Sequence, residues 1–240
     1  MAINTTRLDR FISDFCQVNR KSVRLMLAQK RVYVDGKVAT DIAQIVDCFS
    51  HIVIDDSVVQ NNPPVYIMLH KPVGVVCATK DKKHKTVIDL LKGSFPDEVT
   101  SNLHIVGRLD LNTSGLVLLT NDSRWSEKLT LPENKVSKHY QVRLENPLTE
   151  EYISAFAKGM YFDFEKITTK PAILNIISSH QAEVVLTEGR YHQIKRMFGR
   201  FRNPVVGLHR FAIGKLTLDE SLKVSESREL NVTEINAISD

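Results

Sequence analysis

Asp110 is the residue best placed to do chemistry. It closes Gly107-Arg108-Leu109-Asp110, directly after a short strand-like run, His104-Ile105-Val106, and a Gly-containing turn separates it from an apolar run, Leu116 to Leu119. An aspartate taken alone is most often a turn former or a surface charge. A carboxylate clamped between two buried strands cannot drift, and reaction at a sugar carbon needs a fixed carboxylate. Tyr140, in Lys138-His139-Tyr140-Gln141-Val142, opens another strand-like run. Such a tyrosine either packs in the core or stacks its ring on a base while still presenting a hydroxyl. The stretch Glu188 to Phe198 sets a glycine and Arg190 before an aromatic residue and a basic helix start, a pattern that can cradle phosphate. Its Lys195 and Arg196 stand about 100° apart on a helix, so one can face an active site while the other faces a polyanion.

The elements that must carry these residues fall into two regions. Leu8, Phe11, Ile12 and Phe15 sit at i, i+3, i+4 and i+7, one face of a helix. Ser22 reads as the cap of a second helix with Val23, Met26 and Leu27 turned inward. Arg31 to Val38 is two extended pieces around Asp35-Gly36, a hairpin signal, and Ile52 to Ile54 is a closing strand. Residues 58–64 end in Pro63-Pro64, which lack amide donors and mark a linker. Domains are therefore expected over 1–60 and 65–240. In the second, strands are predicted at Val65 to Leu69, Leu103 to Val106, Leu116 to Leu119, Tyr140 to Leu144, Ala172 to Ile177 and Ala182 to Leu186. Helices are predicted at Val87 to Leu91, Glu150 to Lys158 and His192 to Arg200. The fold class is α+β: a small N-terminal α/β module, then a catalytic domain on a mixed, mostly antiparallel sheet with flanking helices.

The chain has 240 residues, 42% hydrophobic and 25% charged, ordinary values for a globular protein. Its net charge of +4 conceals two basic segments. Residues 1–40 hold eight Lys or Arg against three acids; residues 186–216 hold seven against Glu188 alone. Segments of that kind point to a polyanionic partner, with plain solvated faces as the alternative. Cys16, Cys48 and Cys77 form no Cys-x-x-Cys pair and read as free, mostly buried thiols of a reducing cytoplasm. No apolar run approaches the ~18 residues needed to span a bilayer. The eight histidines show no metal-binding spacing, and no phosphate-loop or dinucleotide-binding motif occurs. No metal, no cofactor and no membrane are expected.

The block from Gly107 to Leu116 closely resembles the catalytic motif of the RNA pseudouridine synthases. Further matches are Lys138-His139-Tyr140, Gly189-Arg190-Tyr191-His192-Gln193-Ile194 with the basic Lys195, and His70-Lys71-Pro72-Val73-Gly74, where relatives commonly carry Asn at the position of His70. Arg7 to Ile12 and Val32 to Gly36 resemble the S4 RNA-binding domain. The resemblance implies Asp110, Tyr140 and Lys195 as catalytic residues. Lys195 would pair with Asp110, where many relatives use Arg, a bidentate fork rather than a point charge. It also implies RNA contacts from Arg108, Arg190, His192, Gln193, Arg196 and Lys71, and, in the N-terminal module, from Arg7, Arg20, Lys21, Arg24, Lys30 and Arg31. The implied reaction cleaves C1′–N1, turns the uracil and joins C1′ to C5 without a cofactor, Asp110 either attacking the sugar or acting through a glycal-like intermediate. Length and Lys195 favour the small-subunit branch: a cytoplasmic monomer acting on 16S ribosomal RNA, free or in an assembling particle. A 23S enzyme of the same family and a non-catalytic rRNA-binding assembly factor stand as alternatives.

Overall fold

The computed structural model describes residues 5–237, which form two compact units. The first comprises residues up to Pro64 together with Asp122–Arg124. Its helix Leu8–Cys16 buries Leu8 and Ile12, and Gln17 stops it in the left-handed conformation. Phe15 departs from the predicted face: it is exposed and stacks on Phe11, ring centroids 6.1 Å apart. The second helix, Arg20–Ala28, is capped by Asn19 rather than Ser22, because the Asn19 side chain accepts from the Ser22 amide at 3.0 Å. Asp35 and Gly36 both have positive φ, 51° and 75°, as a type I′ hairpin turn requires. They join Val32–Val34 to Lys37–Val38 in a four-stranded antiparallel sheet completed by Ile52–Ile54 and Ser57–Gln60. The last strand takes up part of the expected linker.

The second unit is built on a nine-stranded sheet. Its strands run Ile173–Ser178, Gln181–Leu186, Lys138–Leu144, Val205–Ile213, Ser114–Thr120, Tyr66–Lys71, Ser227–Glu229, with His104–Val106 and Leu216–Thr217 paired off this path. Every pairing is antiparallel except that between Val205–Ile213 and Ser114–Thr120, so the sheet is mixed and mostly antiparallel, as predicted. Leu116 and Leu118 bury on one face with Trp125, and Val117 and Leu119 on the other with Phe156 and Phe198. Burial on both faces explains why this strand reads as an unbroken apolar run.

Three further expectations need correction. Val205–Ile213 is a central strand that the sequence pattern did not reveal. Val87 to Leu91 forms turns instead of a helix. There Asp89 accepts from the Thr86 amide and hydroxyl, and the Thr86 hydroxyl accepts from the Asp89 amide, so local side-chain bonds replace helical ones. Of the three free cysteines only Cys77 is buried, and Cys48 is exposed. Among the described residues no helix is long and apolar enough to cross a membrane.

Candidate active site

Asp110 occupies the turn between His104–Val106 and Ser114–Thr120. The Thr113 amide closes that turn by donating to the Asp110 carbonyl at 3.1 Å. Beneath it lies Lys71, which sequence reasoning assigns to RNA. Its side chain is instead fully buried (0% exposed). The ammonium donates to three carbonyls, Thr113 at 2.7 Å, Pro72 at 2.9 Å and Asp110 at 3.2 Å. Burial pulls this lysine below its ordinary pKa. Lys71 thus staples the end of its own strand to the Asp110 turn and has no path to a phosphate.

A second buried cation, Arg210, works beside it. It is 2% exposed and donates to Leu116 O at 2.9 Å and Gly107 O at 2.7 Å, the two ends of the Asp110 segment. Its own backbone lies against Gly115: a Cβ there would fall 2.1 Å from the Arg210 carbonyl oxygen, and Gly115 has φ +113°. Glycine is required on both counts. The Leu109 amide is satisfied by the Cys77 sulfur at 3.2 Å.

The carboxylate faces the start of helix Gln193–Gly199. Lys195 Nζ lies 3.3 Å and His192 Nε2 3.4 Å from the same oxygen, Asp110 Oδ2. His192, expected only as an RNA contact, therefore sits at the acid. It is the residue preceding the helix, at φ +50°, and Tyr191 stacks on its ring with centroids 3.9 Å apart. The loop before it is organised by buried Glu188, which accepts from the Gln193 side chain at 2.7 Å, the Lys170 amide at 2.8 Å and Arg190 Nε at 3.0 Å. Gln193 is buried in this network, and its side-chain carbonyl accepts from the Arg190 amide. Through these bonds it shapes the loop, and it also lines the cavity beside Asp110. Arg196 turns away from Asp110, as the helical offset demands; its guanidinium pairs with Glu165 and lies 3.8 Å over the Phe162 ring.

Tyr140, on Lys138–Leu144, is buried and lines a cavity of about 80 Å³ with Asp110, Thr113, Leu186, Ile194 and Lys195. Lys195 also borders a groove of about 910 Å³ over the sheet, with Gln141, Arg143 and His209. The small cavity is well below the ~300–1,000 Å³ of a ligand site, so it suits part of a nucleotide, with the rest held outside it. Arg108 is exposed at its rim. Asp110, Lys195 and Tyr140 thus meet at one place. Lys71 is buried in the frame, and Gln193 and Arg196 are engaged by Glu188 and Glu165. Sequence reasoning misses Arg210 and Glu188, whose only signals are a charge inside an apolar run and an acid inside a basic segment.

In the first unit the six named cations divide. Arg7 and Arg20 both pair with buried Asp9, and Arg31 with Asp55. The Arg7 guanidinium holds the Asp9 carboxyl below its ordinary pKa. Lys21, Arg24 and Lys30 are exposed and have no carboxylate partner among the described residues.

Residues 65–199 match the RNA pseudouridylate synthase family. The chain is 45% identical over 233 residues to a Pseudomonas aeruginosa protein named ribosomal small subunit pseudouridine synthase A, covering 97% of this chain and 100% of that one. The protein of the same name from Escherichia coli K12 is 40% identical, with 97% and 99% covered. A crystal structure of a pseudouridylate synthase superposes with a TM-score of 0.70 at 37% identity, covering 97% of this chain and 99% of that one.

Proposed function

The chain belongs to the RNA pseudouridylate synthase family, isomerases of RNA uridine, and on that premise we propose that its substrate is a uridine of 16S ribosomal RNA and that Asp110 acts at the sugar. The observation that carries this reading is the Asp110 carboxylate, held by Lys195 and His192 on the wall of the Tyr140 cavity. The target uridine leaves its stack, at a cost of a few kcal/mol that phosphate contacts offset. Its uracil enters beside the Tyr140 ring, with the ribose at Asp110. The carboxylate assists breakage of C1′–N1, whose electron pair departs with the base as a uracil anion. The base turns, C5 joins C1′, the C5 proton is lost and N1 gains one, so substrate and product are isomers and no redox partner is needed. Tyr140 keeps the freed base stacked and is the candidate to take the C5 proton. Lys195 and His192 orient the carboxylate. Arg108 and the groove over the sheet hold the flanking strand.

The names of the relatives favour the small ribosomal subunit over the large. The N-terminal unit docks the RNA through Lys21, Arg24 and Lys30. The protein works as a cytoplasmic monomer, on free RNA or on an assembling particle. Tritium release from 16S RNA carrying 5-³H-uridine tests the site. Asp110→Asn is expected to abolish release while RNA affinity stays within a few fold of wild type. Continued release from that variant removes Asp110 from the chemistry; a wild-type protein that binds RNA and releases nothing favours an assembly factor.

A further inference from the structure

We infer that Thr113 is a substrate-contacting residue whose hydroxyl donates a hydrogen bond to a carbonyl oxygen of the uracil as C1′–N1 breaks. This rests on the proposed reading of the Asp110 cavity and adds to it. Thr113 is 1% exposed, and its Oγ1 is buried with no hydrogen-bond partner among the described residues. A buried hydroxyl without a partner costs free energy, so such atoms are rare and call for a reason. The backbone that carries this hydroxyl is held at both ends. The Thr113 amide is committed to the Asp110 carbonyl at 3.1 Å and its carbonyl to the Lys71 ammonium at 2.7 Å. Thr113 thus hangs from a clamped turn and is one of the residues lining the cavity shared with Asp110 and Tyr140.

If filling space were the task, valine would do it with nearly the same shape and no unpaired group. The hydroxyl therefore has its use when the cavity is occupied. What enters, on the reading above, is a uracil. As C1′–N1 breaks, the bonding electron pair goes to the base and spreads over N1 and the neighbouring carbonyl oxygens. A hydrogen bond to a group gaining negative charge is stronger than one to the neutral base. Thr113 thus assists the bond-breaking step more than it assists binding.

Thr113→Val, Thr113→Ser and Thr113→Ala test this, with kcat and KM from tritium release on 5-³H-uridine 16S RNA and Tm measured alongside. Thr113→Val is expected to lower kcat roughly tenfold to a hundredfold, with little change in KM and a Tm equal to or above that of wild type. Thr113→Ser, which keeps the hydroxyl, should stay close to the wild-type kcat. A Thr113→Val kcat within twofold of wild type overturns the assignment, and so does a loss of activity that tracks a lower Tm in the Val and Ser variants alike. Should the Val variant not fold, the Ser and Ala variants decide: Ser well above Ala supports the hydrogen bond, and equal rates overturn it. An inactive Asp110→Asn beside a fully active Thr113→Val refutes Thr113 and leaves the reading of the site intact. A wild-type protein that releases no tritium refutes both.

Discussion

Two regions of this chain are rich in basic residues, and they use them differently. In the catalytic unit several cations are already engaged by protein groups. Lys71 and Arg210 are buried against backbone carbonyls, Arg190 pairs with Glu188, Arg196 with Glu165 and Arg200 with Asp163. Lys195 faces the acid. In the N-terminal unit Lys21, Arg24 and Lys30 stand in solvent without carboxylate partners among the described residues. Similar densities of Lys and Arg therefore mean different things. A buried cation donates to fixed carbonyls and sets the geometry of a turn; an exposed one attracts phosphate over a Debye length.

The inward cations can be tested by disturbing their seats. The largest effect is expected where Arg210 approaches Gly115. Gly115→Ala forces a Cβ to within 2.1 Å of the Arg210 carbonyl at φ +113°. It should destabilise the catalytic unit by about 4 kcal/mol or more, read by urea unfolding followed through Trp125, the single tryptophan of the chain. A variant as stable as wild type would deny that the two strands meet this closely. Lys71→Met comes next. It leaves the Pro72 and Thr113 carbonyls without the ammonium donor, while the Asp110 carbonyl keeps the Thr113 amide, and should cost about 3 kcal/mol, with a large fall in tritium release because the Asp110 turn loosens. The salt dependence of RNA binding should not change. A flatter salt dependence in this variant would return Lys71 to the RNA surface, where the sequence motif places it.

What was legible in the sequence follows the same division. Local patterns are legible: Asp35-Gly36 marks its hairpin by turn chemistry, and Leu116 to Leu119 reads as a strand, which the fold covers on both faces. Asp110, Tyr140 and Lys195 stand out in short blocks, and the fold brings them to one cavity. Val205–Ile213 stayed hidden because Gly207, His209 and Arg210 interrupt its apolar pattern. That charge is tolerated only because Leu116 and Gly107 carbonyls, distant in sequence, meet it. The role of Lys71 was hidden for the same reason: its three acceptors include residues about forty positions away. Ser22 reads wrongly as a cap because Asn19, three residues before it, supplies the accepting oxygen. Each miss is a pairing, and a pattern of residue types does not say which group a charge will find.

The smallest effect is the most direct measure of the contrast. Removing one phosphate-binding cation should lower the slope of log affinity against log salt by about 0.9. The double variant Lys21→Ala, Arg24→Ala should therefore bind 16S RNA more weakly with a shallower slope, while tritium release at saturating RNA stays near wild type, since neither residue lies in the unit that holds Asp110. Arg196→Ala should leave the slope where it was. Its guanidinium is already neutralised by Glu165 and stacked over Phe162, so few counterions are released when RNA arrives. Filter binding across a salt series distinguishes the two. If Arg196→Ala flattens the slope as much as the double variant does, the Glu165 pair opens on binding. The catalytic unit's cations would then be as available to phosphate as those of the N-terminal unit, and the division between inward and outward charge would fail.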